Sequence, residues 1–140
     1  MTTSTILNSE NAVEKVRTGS RGRTIAYWTV TGFFAAALTM SGIGQLVPLE
    51  GNVVLVENLG YPEYILAILG IWKLLGVIAI VIPGVPRLKE WAYAGFFFLM
   101  TGAALSHVLA GDDAFSIILP LAYAALAITS WALRPQSRRL

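Results

Sequence analysis

The sequence predicts an all-α integral membrane protein: a four-helix up-down bundle with both termini cytoplasmic. Three observations carry this expectation. Hydrophobic residues make up 56% of the 140-residue chain and charged residues only 13%, against roughly 25% charged in ordinary soluble domains. Four apolar runs of membrane-crossing length follow one another, each close to the roughly 20 residues that a 30 Å hydrocarbon layer requires. The basic residues also alternate between loops, with four Lys or Arg in residues 1–23, two in 83–90 and three in 134–140. Loops 47–63 and 110–114 hold none, which places the basic segments on the cytoplasmic side.

Composition also excludes several chemistries. The chain has no cysteine, so it cannot run a disulfide relay, use a thiolate nucleophile or ligate a metal through sulfur. It has one histidine and no acid pair inside the predicted spans, so a protein-made zinc or di-iron site is not expected. The net charge of +2 sorts by loop, which reports topology and not nucleic-acid binding. The partner that composition implies is the lipid bilayer.

Residues 1–23 are polar and lack an apolar h-region, so they are expected to form a disordered or loosely helical basic tail. Lys15, Arg17, Arg21 and Arg23 there read either as a membrane-surface contact or as a topology determinant alone. The membrane domain is expected over 24–134, with a basic tail at 135–140. Its first span runs from about Ile25 to Leu46, with Tyr27 and Trp28 at the headgroup boundary. Gly32, Ala35, Ala36, Thr39 and Gly42 form a small-residue seam on it, and Pro48 is expected to end the helix. The VVLV core of loop 47–63 is too short to span and reads as an interfacial helix or strand.

The second span is about Tyr64–Ile82, broken by Pro83-Gly84-Val85-Pro86. A basic turn, 87–90, leads to the third, about Trp91–Leu109, on which Gly95, Gly102 and Ser106 share a face. The fourth is about Phe115–Leu133, with Ser116, Pro120, Tyr123, Ala127 and Ser130 along one face. Arg134-Pro135 stops it. The last three connections are short, so neighbouring helices should run antiparallel.

One basic residue is out of place. Lys73 lies about 13 Å inside the second span at 1.5 Å per residue, where an unpartnered charge costs roughly 2.5–3.5 kcal/mol on insertion scales. Gly70 and Gly76 flank it on the same face, the face that other helices can approach closely. Matching depths predict a buried polar layer of Lys73, Tyr123 and Thr39, in which the lysine donates to both hydroxyl oxygens; the competing expectation is a neutral amine. His107, one turn from the outer surface, reads as a proton-handling or ligand-contacting group near Gln45, Asp112 or Asp113, or as a helix-end histidine held at the interface. Thr101 lies about 120° away from it around the helix and cannot share its face. Phe96-Phe97-Phe98 either frames a flat cofactor such as a quinone or faces lipid and neighbouring helices. No glycine-rich segment has the GxGxxG pattern of a nucleotide site.

The runs SGIGQL (41–46), LGYPEYILAILGIWKLLG (59–76), PGVPRLKEWAYAGFFF (83–98) and TGAALSH (101–107), with the following GDD and Arg134-Pro135, resemble the DoxX-like family of small bacterial membrane proteins. The resemblance covers about residues 25–135 and implies a four-helix membrane bundle. The family takes its name from the membrane subunit of a thiosulfate:quinone oxidoreductase, and most members have no established activity. Relatives often carry an acid just before the TGAA motif, where this chain has Phe98-Leu99-Met100-Thr101; the departure removes a counter-ion for Lys73. The resemblance therefore implies a non-catalytic, quinone-facing subunit with a redox-enzyme partner, the chain holding no redox centre of its own. Two alternatives stand beside it: a small-molecule or proton-coupled transporter using Lys73, and a structural or chaperone-like membrane protein. Homo-oligomerisation is compatible with each. An enzyme acting alone is least expected, because no nucleophile–base pair or paired carboxylates can be assembled, and no catalytic residue is assigned.

Overall fold

In the computed structural model, which describes residues 2–47 and 49–140, the chain is helical throughout, with no strand among the described residues. The α-helices are α1 (Thr2–Leu46), α2 (Glu50–Asn58), α3 (Ile65–Val81), α4 (Pro86–Ala110) and α5 (Ala114–Leu133). A 3₁₀ turn, Gln136–Arg138, closes the chain. Three helices, α1, α4 and α5, are long and apolar enough to cross a membrane. The equally apolar α3 has 17 residues, or about 26 Å at 1.5 Å per residue.

Two expectations about boundaries need correction. Of the two expectations for the polar segment 1–23, disordered or loosely helical, the structure has a helix and not a disordered tail: from Thr2 onward the segment continues α1 as one 45-residue helix. No proline precedes position 48, and once the apolar half is helical each further residue adds a hydrogen bond without new nucleation. The basic turn 87–90 is likewise the opening turn of α4, because Pro86 occupies its first position, where the fixed φ and missing N–H cost nothing. Pro48, the expected stop of the first helix, lies outside the described residues. The VVLV loop core is helical, as α2.

The four long helices touch in a cycle, α1 on α3, α3 on α4, α4 on α5 and α5 on α1, and α2 rests on α3. Each long helix supplies the shared core: Phe34 and Leu38 from α1, Ile80 from α3, Tyr93, Phe96 and Met100 from α4, and Ala124 and Ala127 from α5. Phe34 meets Phe96 edge-on, with ring centroids 5.5 Å apart, a favoured aromatic geometry.

Glycine sets the closest approach. A Cβ at Gly70 would lie 2.8 Å from the Gly42 carbonyl oxygen, so α1 and α3 meet backbone to backbone. A Cβ at Gly76 would strike the Phe96 ring at 2.6 Å. Gly32, Gly95 and Gly102 have nothing within 4 Å of their would-be Cβ. The packed face of α4 instead runs at spacings of three and four through the large residues Lys89, Tyr93, Phe96 and Met100 to Ala104.

Gly70→Ala should therefore lower stability by about 1–3 kcal/mol, the usual range for overpacking, whereas Gly102→Ala should be neutral or slightly stabilising. Thermal unfolding of both variants in detergent checks the contrast; equal melting temperatures would remove the close helix crossing.

Candidate functional site

Polar groups inside the helix assembly gather at three levels. The middle level is Lys73, buried at 7% exposure. Its amine donates to Ser41 Oγ at 2.9 Å, across the crossing that Gly42 and Gly70 make possible. Among the described residues its hydrogen bonds reach neither Thr39 nor Tyr123, so the predicted three-residue layer does not form. Thr39 donates back to the Ala35 carbonyl of its own helix at 2.7 Å, a local bond that satisfies its hydroxyl. Tyr123 packs half-buried against the aromatic core. Ser41 is two residues beyond Thr39, about 160° around the helix from it, and therefore faces a different neighbour.

The second level lies where the N-terminus of α5 meets the C-terminus of α4. Gly111 ends α4 in the left-handed conformation, φ 75°, and the Asp112 N–H returns to the His107 carbonyl. The reversal brings Asp112 onto His107, whose Nδ1 donates to Oδ2 at 2.6 Å. Asp113 turns the other way and caps α5, accepting from Phe115 N–H and Ser116 Oγ. Tyr61 and Ser106 share a hydrogen bond of 2.8 Å close by. Among the described residues Gln45 makes no such contact, and its buried Oε1 has no hydrogen-bond partner there.

The third and most elaborate level is at the basic end, and sequence reasoning missed it. Lys89, 1% exposed, donates its amine to the carbonyls of Ala79 and Ile80, each at 2.9 Å, and to that of Ile82. Arg138 reaches the carbonyls of Ile80 and Val81 while stacking over Trp28 at 4.6 Å. Buried Arg134 pairs with Glu90 and lies over the Tyr93 ring at 5.2 Å. Glu90 also accepts from Trp131 Nε1 at 2.7 Å. One layer deeper, Ser130 Oγ joins Thr31 at 2.6 Å and Tyr93 at 2.7 Å, and the Tyr27 hydroxyl is buried beside Tyr93. The available signal was Pro86: a helix beginning there turns Lys89 inward on the Tyr93–Phe96 stripe.

Beside this network, α4 and α5 leave an open groove of about 420 Å³. Ala94, Phe97, Phe98 and Ile128 line its apolar length, and Tyr93, Trp131 and Glu90 close its polar end. The Phe96–Phe98 run thus divides: Phe96 belongs to the core, while Phe97 and Phe98 wall the groove. Among the described residues no group of three His, Cys, Asp or Glu could hold a metal.

A family model described as the DoxX-like family matches residues 29–130. The chain belongs to the DoxX-like family. No curated protein and no solved structure matches it. The match covers the Lys73–Ser41 and His107–Asp112 pairs and, of the basic end, Thr31, Lys89, Glu90, Tyr93 and Ser130, whereas Tyr27, Trp28, Trp131, Arg134 and Arg138 lie outside it. With three membrane-length apolar helices, the DoxX-like protein is a multi-pass membrane protein.

Two outcomes follow. A buried cation with one hydroxyl acceptor stabilises little, whereas an orphaned buried donor costs about 1–3 kcal/mol. Lys73→Met should therefore keep or raise the melting temperature and Ser41→Ala should lower it, with the loss absent in the double variant; a loss that persists there would unlink the pair. Second, the Ser116 hydroxyl and the helix N–H groups hold the Asp113 carboxyl below its ordinary 3.8. Its folded pKa is depressed, so its contribution is present above that value and disappears as pH falls through the folded pKa. Melting curves should show this loss below about pH 4 in the native chain and less of it in Asp113→Asn.

Proposed function

We propose that this DoxX-like chain is an up-down bundle of four transmembrane helices in a bacterial cytoplasmic membrane, with both termini inside. In this reading it is a non-catalytic membrane subunit that holds a quinone for a separate oxidoreductase. The groove between α4 and α5 carries the proposal. Its volume falls in the roughly 300–1,000 Å³ range of small-molecule sites, its walls are aromatic and aliphatic, and its polar groups are confined to one end. That asymmetry suits a flat ring with hydrogen-bonding oxygens joined to an apolar tail. The alternation of basic loops supports the orientation, and α3, although short, falls within the roughly 17–25 residues that suffice for a span.

A transporter centred on Lys73 is less well supported, because the amine is bonded to Ser41 between two tightly crossed helices and does not line the groove. The same bond favours a second reading, in which Lys73 only fixes helix register in a structural membrane protein.

A photoreactive quinone analogue should label α4 and α5 around Ala94 and Ile128, and Ala94→Trp, at an exposed groove position, should reduce labelling about tenfold without changing the melting temperature. Labelling that ignores Ala94→Trp rejects the quinone site. Copurification with a soluble oxidoreductase would support the subunit role, and a homomer with neither quinone nor partner would favour the structural reading.

A further inference from the structure

Most cations at the basic end are consumed internally: Lys89 and Arg138 by the carbonyls that end α3, and Arg134 by Glu90. Two are not. Arg23 of α1 and Arg139 of the C-terminal segment converge on one acceptor, the Ala132 carbonyl at the end of α5, which receives Nη2 of each at 2.8 and 3.1 Å. The two nitrogens therefore lie within about 6 Å of one another, although like charges repel. Arg139 is further fixed by Nε, which donates to the Arg134 carbonyl at 2.9 Å. Among the described residues no carboxylate bonds either side chain, and Glu90 is occupied by Arg134 and Trp131. Both arginines are exposed, and each retains unused N–H groups.

Two guanidinium groups held side by side without a counter-ion have the chemistry of a phosphoryl site, because planar N–H forks match phosphate oxygens and share its charge. We propose that Arg23 and Arg139 bind a phosphoryl anion at the C-terminus of α5. The phosphodiester of an anionic lipid and free phosphate share that chemistry. The depth of the site, at the last residues of an apolar helix beside Trp131, matches the headgroup layer where such lipids carry their charge. The proposal is independent of the quinone reading, because neither arginine lines the groove.

The test uses the full chain in nanodiscs of equal phosphatidylglycerol and phosphatidylcholine, with retained lipid counted by native mass spectrometry. The native chain should keep one phosphatidylglycerol. The R23Q/R139Q variant should bind it roughly thirtyfold more weakly, as expected for two basic groups at a membrane surface. The charge-matched R17Q/R21Q variant, altered farther along the exposed helix, should bind like the native chain. A second arm titrates inorganic phosphate into the chain in pure phosphatidylcholine discs: saturable binding lost only in R23Q/R139Q supports the same site with a soluble ligand. Equal losses in both double variants, or no loss in either arm with R23Q/R139Q, overturn the site. Because the substituted side chains are exposed, matching melting temperatures will show that all variants fold.

Discussion

A helix that stops inside an apolar assembly leaves its last carbonyls without intrahelical partners, and in α3 they are the constraint on which the basic end is built. Lys89 and Arg138 supply the missing donors from two different parts of the chain. Each cation also meets the negative end of the helix dipole, which offsets part of the cost of removing it from water. The arrangement ties three elements at once. α3 cannot shift without stripping Lys89, and the C-terminal segment cannot leave without freeing the carbonyls of Ile80 and Val81.

The groove depends on the same clamp. Glu90 follows Lys89 directly, so fixing one side chain inward directs the other toward α5, where it meets Arg134 and Trp131. Tyr93, one turn on, is held by Ser130 and lies under the Arg134 guanidinium. The polar end of the groove is therefore anchored by bonds that run back into the core. Its apolar walls have no such ties, which leaves the Phe98 side open.

Much of this was legible from the sequence. Apolar runs marked the four long helices, because they reflect what lipid tolerates, but α1 begins 23 residues and α4 five residues before the apolar runs do. Lys73 stood out as the one misplaced cation, and the structure does bury it, but on Ser41. Depth along a helix could be counted, whereas rotation about the axis was inferred from glycine faces, and Gly32, Gly95 and Gly102 turned out to point away from any neighbour. Lys89 escaped notice for the opposite reason. In a run such as RLKE a lysine reads as solvated, and only the helix start at Pro86 and the unpaired carbonyls of α3 explain its inward turn. The His107–Asp112 pair was accessible because its cause, a left-handed glycine between them, is local.

The unbroken course of α1 has a mechanical meaning. At 1.5 Å per residue its 45 residues make a rod of about 68 Å, of which residues 2–22 are exposed throughout. No joint separates that free shaft from Ser41. A protein gripping the far tip would hold a crank: turning it through one residue's angular step, about 100°, would swing the serine hydroxyl away from the lysine it satisfies. A twist applied at the exposed end would thus reach the Ser41–Lys73 contact without any segment having to fold or unfold.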